Sequence, residues 1–153
     1  MMPQLDELNR NILRLLQEDC DISLSALAKK VGSSKTPVWN RIKKMRKNGI
    51  IRRQVALVDP KAVGLGETFF VAVHTSKHDE EWLKAFTGAV LSLPEILEVH
   101  RLTGDIDYLL KVQVSDTADF DRVYKALISQ ISVFNVTSSL SMETIKSTTA
   151  LNV

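Results

Sequence analysis

A turn of about three residues beginning with glycine, Gly32-Ser33-Ser34, joins two short stretches of helical periodicity, and no other feature narrows the possible folds so far. Before it, Leu24, Leu27, Ala28 and Val31 share one face of a short helix that Ser23 can cap. Gly32 suits the left-handed backbone that stops such a helix. After it a helix restarts with Pro37 in its first turn, where a missing N–H costs nothing. This helix runs to about Asn48, and Gly49 ends it. Upstream, Leu5, Leu8, Ile12, Leu15 and Leu16 recur at helical spacing behind an Asp6 cap, which predicts a first helix ending near Glu18. Three helices with so tight a turn between the second and third read as a winged-type helix-turn-helix, with the third as reader.

Projected at about 100° per residue, Val38, Ile42 and Met45 fall on the inner face of the third helix. Thr36, Asn40, Lys43, Lys44 and Lys47 fall opposite, with Trp39 and Arg46 on one flank. Short polar side chains near the N-terminal end, with lysines beyond them, are what a major groove accepts. The charge pattern agrees. The net charge of +2 divides into +7 over residues 1–66 and −5 over residues 67–153. Between Ile22 and Val58 stand ten basic residues and no acidic one. A basic run alone equally describes a solvated face, but with the short turn it points to a polyanion.

Ile50 to Val58 alternates weakly and reads as a strand, followed by breaks at Asp59-Pro60, Gly64 and Gly66. The expected organisation is a DNA-binding domain over residues 1–49, a linker with one strand over 50–66, and a second domain over 67–153. In that last part the pattern becomes β-α-β-β-α-β. The strands are Phe69–Thr75, Ile96–Leu102, Asp107–Val114 and one within Val133–Lys146. One helix carries Trp82, Leu83, Phe86, Ala89, Val90 and Leu93; the other carries Phe120, Val123, Tyr124, Leu127, Ile128 and Ile131. This is the ferredoxin-like order, so the fold class is α+β. Two helices cover one sheet face, yet Phe70 and Ala72 alternate with Phe69, Val71 and Val73, which predicts a second sheet packed on the open face, most simply in a symmetric dimer.

Over essentially its whole length the chain resembles the Lrp/AsnC (leucine-responsive, feast/famine) transcriptional regulators. The pieces that carry the resemblance are Leu5-Asp6-Glu7-Leu8-Asn9-Arg10-Asn11-Ile12-Leu13, Leu24-Ser25-Ala26-Leu27-Ala28-Lys29-Lys30-Val31-Gly32, and the reader run from Ser34 through Met45. Asn48-Gly49-Ile50-Ile51, Asp59-Pro60-Lys61-Ala62-Val63-Gly64-Leu65 and Thr103-Gly104-Asp105-Ile106-Asp107-Tyr108-Leu109-Leu110 follow in order. The resemblance implies homodimers made partly through the linker strand, often assembled into octamers, and control by a small effector, usually an amino acid. It places that effector between dimers, near Thr103, Gly104, Asp105 and Asp107, with Thr137, Ser138 and Ser139 of the last strand as a looser match. The run from Val136 to Lys146 resembles the cysteine-detoxification branch, which makes cysteine one effector to test.

The expected DNA-contacting set is Ser33, Ser34, Lys35, Thr36, Pro37, Trp39, Asn40, Arg41, Lys43 and Lys44. Within it, Trp39 suits either partly exposed core or a phosphate, and Arg41 either a salt bridge inside the domain or a phosphate. Asp105 and Asp107 beside Gly104 would by themselves describe an ordinary hairpin turn. Turn N–H groups could also take an effector's carboxylate, and a side-chain carboxylate its ammonium. His74 and His78 lack a third ligand in sequence, so no metal is expected, and no cofactor motif is present. Cys20 lacks a basic neighbour, and a lone cysteine fits a reducing compartment. No stretch approaches the roughly 20 apolar residues of a membrane span, so the expected location is the cytoplasm.

Three rival functions are weighed on the same residues. An RNA-recognition sheet would need a basic aromatic run that Tyr108–Val114 lacks. A ferredoxin-like enzyme would need an acid/base pair at a spacing not found here, so no enzyme is expected. An architectural DNA-wrapping protein without a dedicated effector remains the alternative.

Overall fold

The computed structural model describes residues 5–77 and 79–153. Its elements are helices α1 (Glu7–Glu18), α2 (Leu24–Lys30) and α3 (Lys35–Lys47), then strand β1 (Glu67–His74), helix α4 (Glu80–Ser92), strands β2 (Ile96–Arg101) and β3 (Tyr108–Val114), helix α5 (Thr117–Ile128) and strand β4 (Asn135–Leu140). The chain divides into two compact units, Met1–Ala56 with Lys146–Val153, and Leu57–Ile145.

In the first unit the caps are those expected. The Asp6 carboxylate accepts the N–H of Asn9 at 2.8 Å, and the Ser23 hydroxyl accepts that of Ala26 at 3.1 Å. Gly32 has φ +67°, and both bonds of a Schellman stop form around it: Ser33 N–H to Ala28 C=O and Gly32 N–H to Lys29 C=O. Gly49 (φ +72°) repeats the device after α3, with Ile50 N–H bonded to Met45 C=O. Ile12, Leu27, Val38, Ile42 and Met45 form the buried centre between the three helices.

In two places the single chain departs from the pattern of its sequence. Residues 50–58 form no strand, and Val55, Leu57 and Val58 stand exposed. A strand exists only through a ladder, and among the described residues none pairs with this segment. Residues 146–153, assigned by sequence to the second domain, belong to the first unit. The Gln17 amide accepts the N–H of Leu151 at 2.7 Å and donates to its carbonyl at 3.1 Å; Arg14 Nε reaches the main-chain oxygen of Val153 at 2.8 Å. Val153 also packs against the apolar cluster.

The second unit is an antiparallel sheet of order β2-β3-β1-β4 carrying α4 and α5, the ferredoxin-like arrangement. Phe69, Val71 and Val73 face the helices together with Leu110, Val112 and Val114. Phe86 is 1% exposed and stacks on Trp82, while the Phe69 and Phe120 rings stack at 3.9 Å. Leu83, expected on the inner stripe of α4, is instead 39% exposed. β4 stops at Leu140, earlier than its sequence pattern, because its neighbour β1 begins at Glu67; the N–H of Ser141 makes a further bond to Thr68 C=O.

The face opposite the helices is less apolar than expected. Registered rows cross it: Glu98, Lys111, Phe70 and Ser139 in one, His100, Leu109, Ala72 and Thr137 in the next. Phe70 is 40% exposed there, beside a Lys111–Glu98 ion pair of 3.2 Å. His100 and then Lys111 hydrogen-bond the Glu98 carboxylate and hold its pKa below the ordinary value.

Candidate DNA- and effector-binding sites

Helix α3 presents the expected polar face. Lys35, Thr36, Pro37, Asn40, Lys43 and Lys44 are exposed, while Val38, Ile42 and Met45 point into the core. Ser34 is the N-cap, with extended backbone, and its hydroxyl makes no cap hydrogen bond. Ser33 is half-buried and closes α2 through its N–H. The first turn of α3 holds no acidic residue, so the helix dipole meets an incoming anion unopposed. Trp39 is 49% exposed at the flank, more open than a core residue. Lys47 at the end of α3 is exposed, and so are Lys29, Lys30, Arg52 and Arg53, which extend the basic surface beyond the reader helix.

Arg41 departs from this set. Its Nη1 donates to Asp6 Oδ2 at 2.5 Å and to Asn9 Oδ1 at 3.0 Å, the intradomain contact that is one of its two expected roles. The Asp6 carboxyl is held below its ordinary pKa, first by Arg41 and then by the Asn9 N–H. Asp6 and Asn9 were not among the expected site residues. No local pattern could have found them, since Asp6 and Arg41 lie 35 positions apart.

In the second unit Thr103, Gly104 and Asp105 are exposed in the turn between β2 and β3. Gly104 has φ +119° and open space where a Cβ would stand, so the backbone angle and not crowding demands glycine. Asp107 is half-buried: its Oδ2 accepts the N–H of Thr75 at 2.8 Å, its N–H donates to Val73 C=O, and its C=O accepts from Leu102. Its carboxylate therefore braces the turn against the end of β1. Thr137, Ser138 and Ser139 are exposed on β4, with Thr137 opposite Ala72 and Ser139 opposite Phe70 on the open face. Ser138 lies opposite Val71 and so faces the other way. One strand, β1, lies between β4 and β3, the nearer arm of the turn, a separation of about 10 Å at the usual strand spacing. The structure thus sets the two candidate groups on one sheet without joining them in one pocket. A cleft of about 250 Å³ between α4 and the chain after α5, lined by Lys77, Trp82 and Gln130 among others, contains none of the candidates. Among the described residues no cluster suits a metal, and His78 lies outside them.

Residues 5–52 match a winged helix-turn-helix DNA-binding family, and residues 68–151 match the Lrp/AsnC ligand binding domain. The chain belongs to the Lrp/AsnC family. As a member it is a DNA-binding transcriptional regulator, with the α+β architecture described above. It is 45% identical to the DNA-binding transcriptional activator DecR of Escherichia coli K12, over 96% of this chain and 97% of that one. An AsnC family transcriptional regulator from Agrobacterium tumefaciens superposes with a TM-score of 0.93 at 49% identity, covering 97% of each chain. A transcriptional regulator from Neisseria meningitidis, solved in complex with L-Met, superposes at 0.92 with 33% identity and the same coverage. The relatives named here are regulators of transcription. No helix of the described residues is long and apolar enough to cross a membrane.

Proposed function

We propose that this Lrp/AsnC regulator reads a DNA sequence with Thr36 and Asn40, holds the phosphates with Lys35, Lys43 and Lys44, and changes assembly when an amino acid binds at the β2–β3 turn. The exposed, acid-free face of α3 carries the DNA part of this reading. Ser34 and the first N–H groups of α3 would meet a phosphate at the helix end, with Pro37 and Trp39 beside it. The effector part is supported by the Neisseria regulator solved with L-Met and by the exposed Thr103-Gly104-Asp105 turn. A carboxylate at Asp105 offers an acceptor for an ammonium group, and the turn N–H groups offer donors for a carboxylate. Thr137 and Ser139 face away from the helices and belong to a surface that a second copy would cover, as a homodimer or a higher assembly up to an octamer. Such a protein works in the cytoplasm, where its DNA and its amino acid meet.

The test is a salt titration of DNA binding. Lys43→Ala and Lys44→Ala should each reduce the slope of log K against log[salt] by about 0.9 and weaken all sequences alike. Asn40→Ala should cost about 1–3 kcal/mol at one base position and little on random DNA. Unchanged slopes in both lysine variants would remove this face of α3 from the interface. A thermal-shift screen of the twenty amino acids, cysteine included, finds the effector, since a ligand at 100 times its Kd stabilises by about 2.7 kcal/mol.

A further inference from the structure

The core beneath α3 is a stripe of Val38, Ile42 and Met45, and apolar packing is non-directional. It holds the helix down by close packing, to which a directional contact adds further resistance to rotation about the helix axis. Rotation matters for reading: at a radius of roughly 5 Å, ~10° of roll moves a surface atom by ~1 Å, more than a base contact tolerates. A directional contact narrows the roll angle further than packing does. Asp6, Asn9 and Arg41 supply one.

Asp6 stands at the start of α1 and divides its carboxylate between two tasks. Oδ1 caps α1 through the N–H of Asn9 at 2.8 Å, and Oδ2 accepts Arg41 Nη1 at 2.5 Å. The same Nη1, which carries two hydrogens, also donates to Asn9 Oδ1 at 3.0 Å. The cap, the first turn of α1 and the second turn of α3 are therefore tied at one nitrogen. Arg41 sits between Asn40 and Lys43 in sequence, so whatever fixes its direction fixes theirs. Arg41 is one-third exposed and Asp6 about half exposed, so the pair contributes little to global stability.

We infer that Asp6 and Asn9 are positioning residues for DNA reading, which clasp Arg41 and thereby set the roll of the reader helix. This rests on the proposed role of α3. The clasp orders the helix before DNA arrives, so its loss is felt at base contacts that need angular accuracy and hardly at phosphate contacts, which tolerate movement.

The experiment is a double-mutant cycle on the full chain with Asp6→Asn, Arg41→Gln and both together. Asparagine remains a good helix cap, so Asp6→Asn keeps α1 and removes only the charge that holds Arg41. Affinities are measured for a duplex selected by the wild-type protein from a random library, and for random-sequence duplex, across a salt range. Circular dichroism confirms unchanged helix content. Each single variant should lose about three- to tenfold in affinity for the selected duplex, with random-duplex affinity and salt slope unchanged, and the double variant should be no worse than either single. Equal losses on both duplexes with a slope lower by about 0.9 in Arg41→Gln would make Arg41 a phosphate contact and overturn the inference. So would additive losses in the double variant, or an Asp6→Asn protein that discriminates like wild type. A wild-type protein that selects no sequence would instead overturn the reading role of α3 itself, and the inference with it.

Discussion

Alanine at Phe86 should destabilise the ferredoxin-like unit by about 3–5 kcal/mol, the usual cost of emptying a phenylalanine site in a packed core. Phe86 is 1% exposed, lies 5.0 Å from the Trp82 ring and 4.5 Å from that of Tyr108, and so joins α4 to β3. Its removal leaves a cavity walled by two large rings, which cannot collapse without moving the helix. Against a domain stability of about 5–15 kcal/mol, this is a large fraction of the whole. Urea unfolding measures it, followed by tryptophan emission in a Trp39→Phe background so that buried Trp82 alone reports. A loss below about 1 kcal/mol would mean that α4 repacks freely, contrary to the close stacking seen here.

The second large effect separates two aspartates that look alike in sequence. Asp107→Ala removes the acceptor of the Thr75 N–H and leaves that partly buried amide unpaired, at a cost of about 1–3 kcal/mol. Asp105→Ala, in the exposed turn, should leave stability unchanged. If the proposed effector site is right, Asp105→Ala should nevertheless abolish the amino acid's influence on assembly, a coupling of about 1–3 kcal/mol in comparable systems. Thermal denaturation reads the first effect. Sedimentation of wild type and Asp105→Ala, each with and without the amino acid found by screening, reads the second. An Asp105→Ala protein that still responds would make the turn purely structural and move the effector elsewhere.

Much of the architecture was legible in residue order because it depends on neighbours in sequence. Asp6 and Ser23 cap the helices that follow them, and Gly32 and Gly49 end the helices before them. These are local matters, settled by side-chain reach and by backbone angles that glycine alone adopts at low cost. The inward residues of α3 and the alternation of β1 followed from period alone. The candidate DNA face was visible for the same reason, since exposure along one helix is set by its core stripe. The stretch 50–58 is unpaired in the single chain, because alternation reports only a capacity to pair, and pairing needs a second strand.

Tertiary structure decided the choices among partners of equal chemistry. Arg41 could have served a phosphate or a carboxylate, and Asp6, 35 positions away, took it. Asp107 could have stood open like Asp105, yet its Oδ2 accepts the N–H of Thr75, just past β1, at 2.8 Å. Leu151 pairs with Gln17 across 134 positions, which carries the last residues back to the helical unit although their neighbours in sequence belong to the sheet. Residue type determines what a group can bond. Which of several suitable partners it meets is set by the packing of helices and strands, and that packing is a property of the whole chain and of no window within it.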